Sequence, residues 1–225
     1  MDFTLSEEQK LLQSSVREVA TLEIAPKAAE ADSYNLFVWE GAQALAQAGF
    51  MGMLIPPEYG GSGSGPLSFV LVAEEVGSVC PNTALVFVTH QAASRGLALG
   101  GRPGLKEKWL PLLAQGSKLA AFAATEAEAG SNVLAIQTTA QLQGDHYLVN
   151  GSKLYIPSCD EAEVYLTVVR TSPTPGPGSL SLLVLEKGME GISLGKKFIR
   201  MGMNGTSNGE YFFSDVKVPR ENLVG

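Results

Sequence analysis

The stretch of sequence that best indicates the fold is Phe122-Ala-Ala-Thr-Glu-Ala-Glu-Ala-Gly-Ser-Asn132. It begins within a strand-like apolar run, Leu119–Ala124, and then combines small residues, two hydroxyls and a glycine. Such a segment can bring bare backbone N–H groups and the hydroxyls of Thr125 and Ser131 close to a planar polar ligand. Judged on its chemistry alone, it is more often an ordinary turn after a strand, so its meaning depends on the rest of the chain.

The chain upstream of this stretch has a helical pattern. Apolar residues recur on one face from Leu12 to Ala20, and Pro26 is expected to end that helix. A second helix is predicted over Phe37–Ala48, with Gly49 placed to end it. Further helices are predicted over Ser68–Val79, Asn82–Leu99 and Leu105–Leu113.

The chain downstream consists of short β-type runs separated by turn residues. Gln143-Gly-Asp145 and Asn150-Gly151 are both typical of hairpin turns. The sequence therefore predicts an α+β fold, with an all-helical N-terminal domain over residues 1–117 and an antiparallel β-barrel-like domain over residues 118–225. The predicted strands are Leu119–Ala124, Gln137–Leu142, Tyr147–Asn150, Val164–Val169, Ser181–Leu185, Tyr211–Phe213 and Val216–Val218.

The composition argues against several classes of function. A net charge of −7 and a pI near 4.9 give no basic surface for nucleic acid or an anionic membrane. No run of about 20 apolar residues is present, so no membrane span is expected. Cys80 and Cys159 lie far apart, which argues against a disulfide framework and favours a cytoplasmic protein. With only His90 and His146, no metal site is predicted, and His90 is expected to be a hydrogen-bonded core residue.

Several further segments follow one another in a characteristic order. In that order and spacing they resemble the signature segments of the acyl-CoA dehydrogenase family of flavoenzymes, and the resemblance extends along essentially the whole chain. The segments are Gly49-Phe-Met-Gly52, Pro56-Pro-Glu-Tyr-Gly-Gly61, Glu74-Glu75, Lys106-Glu-Lys-Trp-Leu-Pro-Leu-Leu-Ala-Gln-Gly116, the stretch quoted first, Asn150-Gly-Ser-Lys-Leu-Tyr-Ile-Pro157, Met201-Gly-Met-Asn-Gly205 and Val218-Pro-Arg-Glu-Asn-Leu-Val-Gly225.

The resemblance implies an FAD-dependent oxidoreductase of fatty acid metabolism. The implied reaction is α,β-desaturation of an acyl-CoA thioester, with electrons passed to an electron-transfer flavoprotein-like acceptor. In the family, FAD lies between the middle domain and a C-terminal helical domain that supplies the catalytic carboxylate. Since this sequence matches only the first two domains, no catalytic residue is assigned in it, and the chain alone is expected to be incomplete and inactive. A homo-oligomer, or a partner chain that supplies the C-terminal domain, is expected.

The resemblance also assigns binding residues. Ser131 and Thr171 are the candidate contacts with the acyl-CoA substrate, and the ring of Tyr155 is the candidate cover for one flavin face. The candidate FAD-binding residues are Phe122, Ala124, Thr125, Gly130, Ser131, Tyr155, Ile156 and Pro157.

The sequence departs from the family pattern at points that matter for function. Pro157 stands where the family has a threonine whose hydroxyl reaches the flavin, so two possible donors are lost. Weakened or atypical flavin binding is therefore expected. Two alternatives stay open: a non-catalytic acyl-CoA dehydrogenase-like subunit or scaffold, and a flavin monooxygenase on the same fold. Glu126 and Glu128 could be mistaken for substitute bases, but Glu126 is expected to shape its loop and Glu128 to be solvated.

Overall fold

The computed structural model describes residues 4–174 and 176–225, and helices fill its first half. Gly49 ends the third helix as predicted, with its φ of 79° in the left-handed region. None of the described helices has the length and apolar character needed to cross a membrane. The helices are α1 (Glu7–Val19), α2 (Ala25–Ser33), α3 (Trp39–Gln47), α4 (Pro66–Val79), α5 (Pro81–Gly100) and α6 (Pro103–Ala114).

The prediction that Pro26 ends the first helix was wrong. A π-helical turn, Ala20–Ile24, joins α1 to α2, and the Ala25 N–H donates to the carbonyl of Ala20. Pro26 thus occupies the first turn of α2, where a missing N–H breaks no helical hydrogen bond. The widened turn lets the chain continue in helical form past the proline.

The second half forms one sheet of eight strands. Their order is β6-β7-β3-β2-β4-β5-β8, and β1 lies beside β4 off this path. Neither β6 nor β8 was among the predicted strands, and the two runs predicted near residues 211 and 216 belong to one strand. The strands are β1 (Ala120–Ala123), β2 (Thr139–Gln143), β3 (His146–Ile156), β4 (Val164–Arg170), β5 (Leu180–Glu186), β6 (Ile192–Lys197), β7 (Gly209–Pro219) and β8 (Leu223–Val224).

The sheet corrects the predicted antiparallel barrel. It is mixed, because β1 runs parallel to β4 from Ala120↔Val164 to Ala123↔Thr167, and β2 meets β4 in parallel at Thr139↔Arg170. The long connections from β1 and β2 to β4 permit this direction, which a tight hairpin would not. The sheet is also open, since its path ends at β6 and β8. Alternation of apolar residues predicts strands but does not fix the direction in which they pair.

The two predicted hairpin turns had different outcomes. Gly144, with φ of 63°, lies in the two-residue turn between β2 and β3. Asn150–Gly151 instead lies inside β3 at an irregularity in its pairing with β7, where the Asn150 side chain is hydrogen-bonded to Asp215. A Cβ on Gly151 would come within 2.5 Å of the Thr138 hydroxyl oxygen, so glycine there permits the close approach of the segment that leads into β2.

The helices and the sheet share a hydrophobic core. One buried cluster contains Phe87 of α5 together with Ala121 of β1 and Val169 of β4, so apolar packing continues across residues 117 and 118. The proposed division into two domains at that point stays a prediction. Trp109 is buried, whereas Trp39 is 43% exposed and does not belong to the core.

Polar side chains also join the two halves. The His90 ring is fully buried, with Nε2 3.1 Å from the Leu113 carbonyl oxygen, and the N–H of Ala120 donates to its Nδ1 over 3.2 Å. His90 is therefore the hydrogen-bonded core histidine that was predicted. Asn82 of α5 accepts a 2.8 Å hydrogen bond from the Gly205 N–H, which fixes the loop before β7 against the helices.

Candidate functional site

The loop that follows β1 emerges from the middle of the sheet. β1 pairs with the first residues of β4, and β2 pairs with its last residue, Arg170. The connecting residues 124–138 therefore leave the sheet beside β4, between the end of β1 and the start of β2. The N–H of Leu154 donates to the Thr125 carbonyl over 2.8 Å. This bond places Thr125 beside the end of β3 and its neighbour Tyr155.

Glu126 organises the first turn of this loop. Its backbone N–H and carbonyl pair with those of Ala129 over 3.0 and 3.2 Å. Its carboxylate lies 2.8 Å from the ammonium of Lys153 and accepts hydrogen bonds from the N–H groups of Gln137 and Thr138 at 2.7 and 3.0 Å. The prediction that Glu126 shapes its loop is confirmed, and Glu128 is exposed as expected.

The charge state of this pair follows from its surroundings. Burial alone would raise the pKa of Glu126, but the hydrogen bonds from Lys153 and Thr138 outweigh it and the pKa is lowered. Burial lowers the pKa of Lys153, while the contact with Glu126 opposes that change. The carboxylate is therefore held ionised by fixed partners, which makes Glu126 a poor proton acceptor.

The same loop presents hydrogen-bond donors that the chain does not use. Across residues 4–174 and 176–225, the N–H groups of Thr125, Gly130 and Ser131 have no acceptor, and neither do the hydroxyls of Thr125 and Ser131. Gly130 and Ser131 are exposed and Thr125 is half-buried. This set of free donors fits a planar ligand with acceptors along one edge, as the pyrimidine ring of a flavin has.

Tyr155 supplies an aromatic surface next to these donors. The residue is 58% exposed, and its ring lies 5.0 Å from that of Phe198 between centroids. Its backbone has φ of 57°, which is uncommon for a bulky residue, and its carbonyl accepts a 3.1 Å hydrogen bond from the buried Asn208 side chain. No local sequence pattern indicated Phe198 or Asn208, because both become neighbours of Tyr155 only through the pairing of strands.

Left-handed backbone is concentrated around this end of β3. Ser158, Met203 and Ser207 also have positive φ values, and the N–H of Ser158 donates to the Thr206 carbonyl over 2.7 Å. Non-glycine residues in this conformation are costly and cluster at functional sites. The clustering supports a binding surface at Tyr155.

The other predicted flavin residues are buried or partly buried. Ile156 belongs to the core, Pro157 is buried, and Phe122 is partly buried against the cluster under α5 and α6. Ala124, which is half-buried, contributes its carbonyl to Lys153.

Thr171 lies in a different place from Ser131. It follows β4 and lines a cavity of about 330 Å³ with Arg170 and Ser172, and its hydroxyl is 2.7 Å from that of Ser181. Ser131 does not line this cavity. The structure therefore does not bring the two predicted acyl-CoA contacts into one pocket.

Neither cysteine is positioned for chemistry. Both are unpaired and buried, and burial raises the pKa of Cys159 to about 12. Among the described residues, no group of three or more His, Cys, Asp or Glu side chains is arranged to hold a metal ion.

Comparison with known proteins identifies what the chain resembles. Family models match twice: "Acyl-CoA dehydrogenase, N-terminal domain" over residues 6–117 and "Acyl-CoA dehydrogenase, middle domain" over residues 121–216. The chain is 42% identical over 222 residues to cyclohex-1-ene-1-carbonyl-CoA dehydrogenase of Syntrophus aciditrophicus, covering 98% of this chain and 54% of the relative.

Solved structures agree with the sequence comparison. Butyryl-CoA dehydrogenase from Megasphaera elsdenii superposes with a TM-score of 0.92 at 31% identity, and an FAD complex of PigA with a TM-score of 0.94 at 29% identity. Each match covers all of this chain and 60% of the other. The chain thus spans between about half and three fifths of the length of these relatives.

Proposed function

The chain belongs to the acyl-CoA dehydrogenase family, and from that premise we propose that it forms the FAD-facing part of an oxidoreductase that desaturates acyl-CoA thioesters. The observation that carries the proposal is the set of free donors on the loop after β1, beside the exposed ring of Tyr155. The FAD complex of PigA, at a TM-score of 0.94, supports the choice of cofactor.

Each of these groups has a role that its chemistry supports. The N–H and hydroxyl of Thr125, with the N–H groups of Gly130 and Ser131, would donate to the acceptor edge of the flavin and stabilise negative charge there. Tyr155 would cover one face of the ring. Bound FAD supplies the chemistry that accepts a hydride from the β-carbon of the acyl group.

We assign the proton-abstracting base to none of the carboxylates on this loop. Glu126 is committed to Lys153 and to two backbone N–H groups, and Glu128 is exposed to solvent. In this proposal the base comes from a further domain or a partner chain, and electrons leave to an electron-transfer flavoprotein-like acceptor. A homo-oligomer in the cytoplasm is the expected form.

Pro157 favours a second candidate function. It is buried at the end of β3 and has neither a hydroxyl nor an N–H to offer a ligand. A subunit that kept the fold while losing tight flavin binding would tolerate this residue. The second candidate is therefore a non-catalytic, acyl-CoA dehydrogenase-like scaffold.

The test uses the protein isolated from its own cells, with any further domain or partner chain attached. Acyl-CoAs of increasing chain length are added without oxygen, and the visible absorption of bound flavin is followed. Bleaching by an acyl-CoA, reversed by an external electron acceptor, is the expected result. A protein that carries no flavin would instead support the scaffold. Oxygen consumption without transfer to the acceptor would indicate monooxygenase chemistry.

A further inference from the structure

We propose that the buried ion pair between Lys153 and Glu126 is a positioning device that aims the Thr125 N–H at the flavin. The inference rests on the proposed function and deepens it. Lys153 is 0% exposed and Glu126 8% exposed, and the Lys153 Nζ lies 2.8 Å from a Glu126 carboxylate oxygen and 2.9 Å from the Ala124 carbonyl oxygen. A lysine so deeply buried needs both partners to remain charged.

The direction of the Thr125 N–H follows from the contact with Ala124. In a planar trans peptide, the carbonyl of one residue and the N–H of the next point in opposite directions. Because the Ala124 carbonyl is turned toward Lys153, the Thr125 N–H is turned away from it. That N–H has no acceptor within residues 4–174 and 176–225. Lys153 thereby directs a free donor out of the fold without touching the ligand.

Glu126 holds the same loop at its other end. Its carboxylate binds the N–H groups of Gln137 and Thr138, which are the residues that lead into β2. Its backbone closes the turn with Ala129, so the Ala129 carbonyl points toward Glu126 and the following N–H, that of Gly130, points away. The ion pair thus sets the direction of the Thr125 N–H, while the backbone pairing of Glu126 with Ala129 sets that of the Gly130 N–H.

Three variants separate positioning from simple stability. Lys153→Met removes the cation and the bond to Ala124, Glu126→Gln keeps that bond, and the double variant removes both charges. Glu75→Gln is the control for loss of an ion pair elsewhere, since it breaks a 2.6 Å pair with the largely exposed Arg17 in the helical half. Hydrogen exchange is measured at the amides of Glu126, Ala129 and Leu154, thermal unfolding is measured for each variant, and FAD affinity is measured by titration.

The positioning role predicts a specific pattern. Lys153→Met should speed exchange of the amides of Glu126, Ala129 and Leu154 about tenfold while amides of β5 are unchanged, and should weaken FAD binding about tenfold. The double variant should recover thermal stability relative to Lys153→Met, because no unpaired charge is left buried. It should keep the fast exchange and the weak FAD binding, since the bond to Ala124 is still missing.

Other outcomes would overturn either the positioning role of the ion pair or the proposed function. Full recovery of FAD affinity in the double variant, or equal exchange in Lys153→Met and Glu75→Gln, would show that the pair serves stability alone. A wild-type protein that binds no FAD would refute the proposed function and the direction of Thr125 toward a flavin. In that case the exchange rates would still decide whether the pair holds the loop.

Discussion

Replacing His90 by glutamine should change how the stability of the protein depends on pH. The imidazole is fully buried between α5, α6 and β1, and burial lowers its pKa to about 4 from an ordinary value of 6.5. Its Nδ1 accepts the Ala120 N–H, so Nε2 carries the proton that is donated to the Leu113 carbonyl. A second proton on the ring would displace the Ala120 N–H.

The sign and size of the effect follow from these two pKa values. Between pH 6.5 and about 4, His90 is protonated in the unfolded chain and neutral in the folded one. The unfolded state therefore binds more protons in this window, and the free energy of unfolding falls as the pH falls. Each pH unit is worth about 1.4 kcal/mol, so the full window amounts to roughly 3 kcal/mol. The contribution is fully present above pH 6.5.

Urea unfolding at several pH values between 7.5 and about 4 measures this contribution. The His90→Gln variant keeps a donor and an acceptor but has no group that titrates in the window, so it serves as the reference that cancels all other titrations. The difference in free energy of unfolding between wild type and variant should shrink by roughly 3 kcal/mol as the pH is lowered. A difference that stays constant with pH would show that burial does not lower the pKa of His90 in the folded protein.

Three further predictions concern backbone and ligand contacts. Gly151→Ala should lower the free energy of unfolding by about 3 kcal/mol, against about 1 kcal/mol for Gly144→Ala, because a Cβ clashes at Gly151 and meets no atom within 4 Å at Gly144; equal losses in urea unfolding would contradict this. Asn82→Ala should cost about 2 kcal/mol, since it leaves the buried Gly205 N–H without its acceptor, and calorimetry that shows no change would count against the contact. Pro157→Thr should tighten FAD binding roughly fivefold by restoring a donor, and an unchanged titration would show that no donor is missing there.

The sequence predicted much of the fold because local patterns carry it. Helical spacing and a glycine at position 49 correctly predicted α3. The turn residues around Gly144 correctly predicted the β2–β3 hairpin. Asn150–Gly151 carries the same turn signal but lies within β3, because its asparagine side chain binds Asp215 and its glycine admits Thr138. These partners, one of them 65 residues away, distinguish the two cases and are not part of the local turn signal.

The candidate site was predicted less completely, for a related reason. Thr125 and Tyr155 follow from the family resemblance, and the structure places them side by side. The partner of Glu126 is 27 residues distant and could not be chosen among the lysines from sequence. Phe198 and Asn208 are likewise brought to Tyr155 by strand pairing, which no local pattern encodes. The parallel pairing of β1 with β4, beside which the loop after β1 leaves the sheet, also depends on contacts between distant residues that no local pattern encodes.

Whether this surface binds flavin is measured by an FAD titration of the wild-type protein and of Tyr155→Ala, with flavin absorption recorded after removal of free cofactor. The wild type should retain FAD, and loss of the exposed ring should weaken binding about tenfold. A colourless wild-type protein, or equal retention by Tyr155→Ala, would contradict the claim that the loop after β1 and the end of β3 form a flavin surface.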